Sequence, residues 1–147
     1  MKPNRSIPPV SVIPVLTYPD VRAAVSWLAS AFGAVERVRI GEDHRVQMSI
    51  GAGAFVVAEP TPTRRPPVSG ERASVSVMVR VEDVRAHCER ARDAGAAIVD
   101  EPTDHVYGER QYSTEDLAGH RWTFTESIAD VAPEHYDCTT VSAWRHP

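Results

Sequence analysis

No apolar run in this 147-residue chain approaches the roughly 20 residues that a membrane-crossing helix needs. No run of lysine or arginine stands out, and the formal net charge is −4. The clustered positive charge on which nucleic-acid binding rests is therefore missing. The adjacent Arg64-Arg65 sits in a proline-rich stretch and reads as a solvated loop. A mildly acidic surface tolerates a cationic small molecule without predicting one. Cys88 and Cys138 are too few for a disulfide framework, so a reducing cytoplasm is the expected compartment. The opening MKPNRSIPPVSVIP has early positive charge but no apolar core or small-residue cleavage site, so no secretory signal is expected. None of the six histidines is paired with another at H-x-x-x-H or another close metal spacing. Ser-His-Asp and Cys-His patterns are absent, and the adjacent His87 and Cys88 point apart on a helix. What remains is an ordinary globular composition, 42% apolar and 24% charged, enough for one domain or two halves sharing a core.

The chain also repeats itself. Asp20-Val21-Arg22-Ala23 returns as Asp83-Val84-Arg85-Ala86, each after an apolar run and before a helix-length segment. Duplication of one strand–helix module follows. After a proline-punctuated arm (1–11), the first module (12–59) has a strand at Val12–Tyr18. A helix capped by Asp20 carries the stripe Val21, Val25, Leu28, Phe32 and stops at Gly33. Strands at Val35–Ile40, His44–Ile50 and Phe55–Ala58 complete it. A proline-rich linker (60–73) leads to the second module (74–128). It has a strand at Val75–Val81, a helix capped by Asp83 with the stripe Val84, Cys88, Ala91, and a short strand at Ala97–Asp100 that Glu101-Pro102 breaks. Strands at Tyr107–Thr114 and Arg121–Glu126 follow, separated by a turn at Asp116–Gly119. The tail (129–147) holds Tyr136 and Trp144, two aromatics that suggest docking. Trp27 reads as an edge-of-core residue and His87 as a half-buried packing residue. The expected class is α+β: two βαβββ modules.

This pattern resembles the vicinal oxygen chelate superfamily of glyoxalases, bleomycin-resistance proteins and extradiol dioxygenases. The paired Asp-Val-Arg-Ala junctions, Ala31-Phe32-Gly33-Ala34 and Tyr107-Gly108-Glu109-Arg110 carry the resemblance. So does Asp116-Leu117-Ala118-Gly119-His120-Arg121-Trp122-Thr123-Phe124, similar to the family's D-P-x-G-H-x-W-x-F with leucine in place of proline. The resemblance covers about residues 10–128, within a few residues at each end. It implies curved sheets forming a cup and a homodimer, in some members with swapped modules. It also implies a divalent metal held from the first and last strand of each module. Those positions fall here on Ile13, Val56 or Val57, Ser76 and Thr123. Ile and Val carry no lone pair, and Ser and Thr are poor neutral ligands, so no metal or other cofactor is expected. A metal assembled from His44, His105 and Glu109 is the remaining alternative.

Strand parity proposes the cup lining. Ser76, Met78 and Arg80 face inward while Val75, Val77, Val79 and Val81 face the helix. Val15 and Thr17 take the matching places in the first module, and Arg45, Gln47 and Ser49 line the strand after His44. Arg121, Thr123 and Thr125 line the last strand. For Tyr107–Thr114 either Gln111 and Ser113 or Arg110 and Tyr112 point in. Thr17, Arg45, Gln47, Ser76, Met78, Arg80, Gln111 and Thr123 form the candidate ligand-binding set. Any one arginine, taken alone, is better read as a solvated edge charge or a salt bridge with a dimer partner. His120 reads as a turn hydrogen bond. The leading expectation is metal-free binding of a small organic molecule in a cup at a dimer interface. The alternative is a metal-dependent lyase, isomerase or dioxygenase of the same superfamily.

Overall fold

Two aspartates start the two helices in the same way. In the computed structural model, which describes residues 1–68 and 70–141, the Asp20 carboxylate accepts from the Ala23 N–H at 3.0 Å. The Asp83 carboxylate accepts from the Ala86 N–H at 2.9 Å. Each bond satisfies a donor that a helix start leaves free. Helix α1 spans Val21–Phe32 and α2 spans Val84–Asp93. Gly33 closes α1 at φ 74°, where a Cβ would be strained and would meet the Arg90 guanidinium at 3.0 Å. Arg90 of α2 donates there to the Ser30 and Ala29 carbonyls at 2.8 and 3.0 Å. In return the Trp27 indole of α1 donates to Ala94 O at the end of α2, 2.8 Å away. The helices thus cap one another. Trp27→Phe removes this bond and is expected to cost about 1 kcal/mol in urea unfolding.

Each helix backs a four-stranded sheet. The first sheet is β1 (Val15–Thr17), β4 (Gly53–Ala58), β3 (Arg45–Ile50) and β2 (Val35–Ile40), in that spatial order. The second is β5 (Ser76–Arg80), β8 (Arg121–Ser127), β7 (Glu109–Glu115) and β6 (Ala97–Asp104). β1 pairs β4 in parallel and β5 pairs β8 in parallel; the other pairs are antiparallel. The expected two βαβββ modules are present. Their apolar faces share one core that includes Leu28, Phe32, Phe55, Cys88, Tyr112, Trp122 and Phe124. Phe32 lies 5.2 Å from Trp122 and 4.8 Å from Phe124, and Phe55 lies 5.2 Å from Trp122. Aromatic contacts of this kind add to area burial, so neither module is packed without the other. Among the described residues no helix is long and apolar enough to cross a membrane.

Three local expectations are corrected. The first strand is short: Val12 to Pro14 lie outside it, consistent with Pro14 lacking a ladder donor. Val75 precedes β5 and is exposed. β6 runs through Pro102 to Asp104 where a break is expected. It is the edge strand, and its register shifts between Ile98 and Asp100 and between Asp100 and Thr103, the setting in which a sheet accepts proline.

His87 of α2 packs against the core with a defined tautomer. Phe32 O can only accept, so Nε2–H donates to it at 3.1 Å, and Nδ1 accepts from the Tyr112 hydroxyl at 2.6 Å. Its ring lies 4.1 Å from that of Phe124. Burial holds the imidazole below its usual pKa, Arg90 adds to this, and the Phe32 bond opposes it. Burial likewise pushes the Tyr112 hydroxyl up. Because the folded value is depressed, the unfolded chain binds the proton first as pH falls. This contribution to stability is full above about pH 6.5, the unfolded value, and shrinks as pH falls toward the folded value. The midpoint of urea unfolding is expected to fall between pH 7 and pH 5, with a shallower slope in His87→Gln.

The turn after β7 joins the modules. Asp116 is buried, and its Oδ1 accepts from the backbone N–H groups of Ala118 and His120, both at 3.0 Å. Its Oδ2 accepts from the Trp122 indole at 3.0 Å and from the Tyr18 hydroxyl at 2.5 Å. Burial first, then the Asp116 charge and hydrogen bond, push the Tyr18 hydroxyl far up and keep it a donor. His120, read as a local turn bond, instead donates Nε2–H to Thr17 O at 2.7 Å. That bond reaches β1 of the other module.

Candidate functional site

The register assigns each side chain to a face. Val77↔Trp122 and Val79↔Phe124 point at the helices, so Ser76↔Arg121, Met78↔Thr123 and Arg80↔Thr125 lie on the helix-free face. Tyr112 pairs Phe124 in the core, which places Gln111 and Ser113 on the helix-free side and removes the alternative of Arg110 and Tyr112. Met78 is 62% exposed, Ser76 and Arg80 are exposed, and Gln111 and Thr123 are half-buried.

A hydrogen-bond chain runs across this face. Tyr107 OH donates to Gln111 Oε1 at 3.0 Å, and Gln111 Nε2 donates to Thr125 Oγ1 at 3.1 Å. The Thr125 hydroxyl donates to Glu109 Oε1 at 3.0 Å, and Arg80 stands 3.5 Å from the same oxygen. The Arg80 guanidinium also bonds Ser127 Oγ. The hydroxyls of Ser113 and Thr123 bond each other at 2.9 Å. Next to this face a groove of about 310 Å³ runs along the seam of the two sheets, lined by Val12, Pro14, Phe55, Val77, Met78 and Arg80 among others. It is mostly apolar, with Arg80 as the charged residue in its lining. A larger concavity, about 710 Å³, lies at the start of α1 around Arg22, Asp43 and Glu59. Arg22 there pairs with Asp43 and Glu59 with His44, and none of the candidate residues lines it.

The first-module members of the set sit differently. Thr17 and Gln47 share the helix-free face with Val56 but are only 3% and 5% exposed. Gln47 Nε2 donates to Ser6 O at 2.8 Å, and Arg37 donates to Gln47 Oε1 at 2.5 Å. Arg45 is half-buried at the other end of β3. The structure therefore brings Ser76, Met78, Arg80, Gln111 and Thr123 together on the helix-free face of the second module and leaves Thr17 and Gln47 buried, Gln47 bonded to the N-terminal arm.

The register relates the positions that the resemblance assigns to metal ligands. Val15↔Val56 and Met78↔Thr123 are equivalent pairs, so Val56, and not Val57, is the counterpart of Thr123. Val57 belongs to the core. Two alkyl side chains, Ile13 and Val56, and two neutral hydroxyls, Ser76 and Thr123, are a donor set that does not fit a divalent cation. His44 bonds Glu59 at 2.6 Å, and His105 stacks on Tyr107 at 5.0 Å and 6°. The trio His44, His105 and Glu109 is not assembled: among the described residues no group of three His, Cys, Asp or Glu can hold a metal.

Sequence reading missed the aromatic rim. Tyr107 lies between the His105 ring and the Tyr136 ring, the latter 5.8 Å away in a 3₁₀ turn at Pro133–Tyr136. Tyr136 docks as the tail aromatics suggested, and Trp144 lies outside the described residues. The signal available in sequence was Gly108. Its φ of 83° and the approach of Ala129 O pin the tail against this turn.

The comparisons agree with this architecture. The family model of the Glyoxalase/Bleomycin resistance protein/Dioxygenase superfamily matches residues 10–124. Uncharacterized protein Mb0911c of Mycobacterium bovis is 28% identical over 127 residues, covering 80% of this chain and 84% of the relative. Rv0887c of Mycobacterium tuberculosis is also 28% identical, with coverage of 80% and 75%. The crystal structure of TioX from Micromonospora sp. ML1 is similar at 32% identity and a TM-score of 0.66, covering 84% of this chain and 100% of that one. The fosfomycin resistance protein FosX from Mesorhizobium loti shares the fold alone, at 15% identity, TM-score 0.60 and coverage of 80% and 92%. With the duplicated modules, the shared core and a family match over most of its length, the chain belongs to the glyoxalase/bleomycin resistance protein/dioxygenase superfamily.

Proposed function

We propose that this protein binds a small organic molecule, without a metal, on the helix-free face of the second module and the adjoining seam groove. The observation that carries the reading is the donor set. Ile13, Val56, Ser76 and Thr123 stand where the superfamily's enzymes place metal ligands, and two of the four are alkyl. What surrounds them suits recognition. Met78 and Tyr107 supply apolar contact, and the half-buried Gln111, Ser113 and Thr123 supply placed polar groups. The Ser113 and Thr123 hydroxyls bond each other, and neither touches a base among the described residues, so no activated nucleophile is formed. A homodimer completes the cup in this reading, swapped or unswapped. The lyase, isomerase or dioxygenase alternative needs electron-pair donors that these positions do not offer.

Elemental analysis with titration of Zn²⁺, Ni²⁺, Mn²⁺ and Fe²⁺ tests the reading, followed by calorimetric titration of a panel of aromatic and cationic natural products. Substoichiometric metal and saturation without turnover are expected. One tightly held ion per chain would overturn it. Met78→Asp is expected to weaken a bound ligand about tenfold, roughly 1.4 kcal/mol, with no change in the unfolding midpoint because Met78 is exposed in the free protein.

A further inference from the structure

The duplication provides an internal control for accessibility. Thr17 corresponds to Arg80, Val56 to Thr123 and Gln47 to Ser113 by register. All six face away from the helices. The second-module members are exposed or half-buried, whereas Thr17, Gln47 and Val56 are 3%, 5% and 7% exposed. Two backbone carbonyls of the N-terminal arm meet donors on this side of the first module. Ser6 O accepts from Gln47 Nε2 at 2.8 Å, and Arg5 O accepts from Arg37 at 3.1 Å. Pro8 is buried, while Arg5, Ser6, Ile7 and Pro9 on either side of it are exposed.

We propose that residues 5–8 are a displaceable strap over the first module's half of the cup, and that the site beneath it takes a neutral molecule offering two successive carbonyl acceptors beside a compact apolar ring. The proposal rests on the cup reading above and names the ligand chemistry of its other half. The donors are prearranged. Arg37 has only N–H groups to offer, so its bond at 2.5 Å fixes the amide oxygen of Gln47 on that side. The Gln47 NH₂ is thereby aimed at the strap, and a second Arg37 nitrogen is aimed at the preceding carbonyl. No carboxylate on β1, β3 or β4 competes for these donors, since the helix-free positions there are Val15, Thr17, Arg45, Gln47, Ser49, Ala54, Val56 and Ala58. Pro8 suits the apolar seat because it brings no N–H to leave unpaired and little side-chain entropy to lose. The strap itself belongs to no strand or helix. Two side-chain-to-backbone bonds and one buried ring hold it, a set that a ligand of matching chemistry can replace. While the strap is seated, the apparent affinity of such a ligand falls by the fraction of molecules in which the site is free.

The test uses the full chain and its Pro8→Asp variant, which sets a charge in the apolar seat and leaves Arg37 and Gln47 intact. NMR follows the Gln47 side-chain amide and the Val56 and Thr17 methyls, with the Trp122 indole signal as the check on the fold. Nuclear Overhauser contacts from Pro8 to this face are expected in the parent protein and lost in the variant. A synthetic peptide of residues 4–10, Asn-Arg-Ser-Ile-Pro-Pro-Val, is then expected to saturate the variant. It should return these signals toward their parent positions, while the parent needs at least about tenfold more peptide. The proposal is overturned if the parent shows no Pro8 contacts, if Pro8→Asp leaves the face unchanged, or if the peptide does not saturate the variant. These readouts do not involve the second module's ligand. A strap that docks and releases in a protein that saturates with no small molecule therefore fails only the earlier reading.

Discussion

Asp116→Ala is expected to lower the melting temperature by on the order of 10 °C. The carboxylate takes four hydrogen bonds while buried, from Tyr18, Trp122, Ala118 and His120. Alanine leaves the Tyr18 hydroxyl, the Trp122 indole and two backbone N–H groups without their acceptor. Charge-assisted bonds of this kind contribute about 1.5–3 kcal/mol each, and an orphaned buried donor costs about 1–3 kcal/mol. These terms are not additive, and about 3–5 kcal/mol is the expected total, the range for breaking a buried charged network. For a domain of this length each kcal/mol moves the midpoint by about 2–4 °C. Asp116→Asn separates charge from shape. Its oxygen still serves the Ala118 and His120 N–H groups, but its NH₂ faces the indole, which cannot accept. A loss of about 2 kcal/mol is expected there, and Tyr18→Phe should cost least, about 1 kcal/mol, because it removes one donor and orphans none. Differential scanning calorimetry of the three variants checks the order Asp116→Ala, Asp116→Asn, Tyr18→Phe. Equal midpoints would show that the turn does not join the modules.

Gly108→Ala is expected to cost about 2–4 kcal/mol in urea unfolding. A Cβ there would stand 2.3 Å from Ala129 O, 3.0 Å from Val131 Cγ2 and 3.1 Å from Ala129 C, and the backbone sits at φ 83°. The Gly108 carbonyl accepts from the N–H groups of Ile128 and Ala129 at 2.8 and 3.2 Å, so the tail cannot retreat without breaking those bonds. Gly95→Ala isolates the conformational part. It lies at φ 93° with nothing within 4 Å of the added carbon. About 1 kcal/mol is expected for it, from left-handed backbone alone. The excess in Gly108→Ala measures the collision, which belongs to the overpacking range of about 1–3 kcal/mol. Tyr107 is its neighbour on the aromatic rim. Loss of the Tyr107–Tyr136 contact should therefore accompany the destabilisation, visible as a changed near-ultraviolet tyrosine signal.

The parts of the site that could be read in advance are those with a short-range cause. Alternation along β5 placed Ser76, Met78 and Arg80 on one face because a strand turns over every residue, and the observed pairing with β8 agrees. The caps at Asp20 and Asp83 were readable because the N–H that each carboxylate satisfies lies only three residues on. Parity was ambiguous in β7 because Arg110, Gln111, Tyr112 and Ser113 alternate neither in size nor in polarity. Only the pairing of Tyr112 with Phe124 resolves it. Pro102 misled for a similar reason. A proline excludes a central strand but not an edge strand, and position within a sheet is not a local property.

The amino-acid sequence determined by itself the duplicated α+β plan, the helix starts and stops, the identity of the face each alternating strand turns toward the helices, and the residue types, alkyl or hydroxyl, at Ile13, Val56, Ser76 and Thr123. These follow from periodicities of two and 3.6 residues and from whether a side chain owns a lone pair. Tertiary structure alone decided that Tyr18 meets a carboxylate 98 residues away, that Arg37 and Gln47 turn their donors to the carbonyls of Arg5 and Ser6, and that Thr17, Gln47 and Val56 are buried while their counterparts Arg80, Ser113 and Thr123 are not. Such pairings are chosen by the packing of the whole core, where the summed contacts of both modules outweigh any preference a short segment holds.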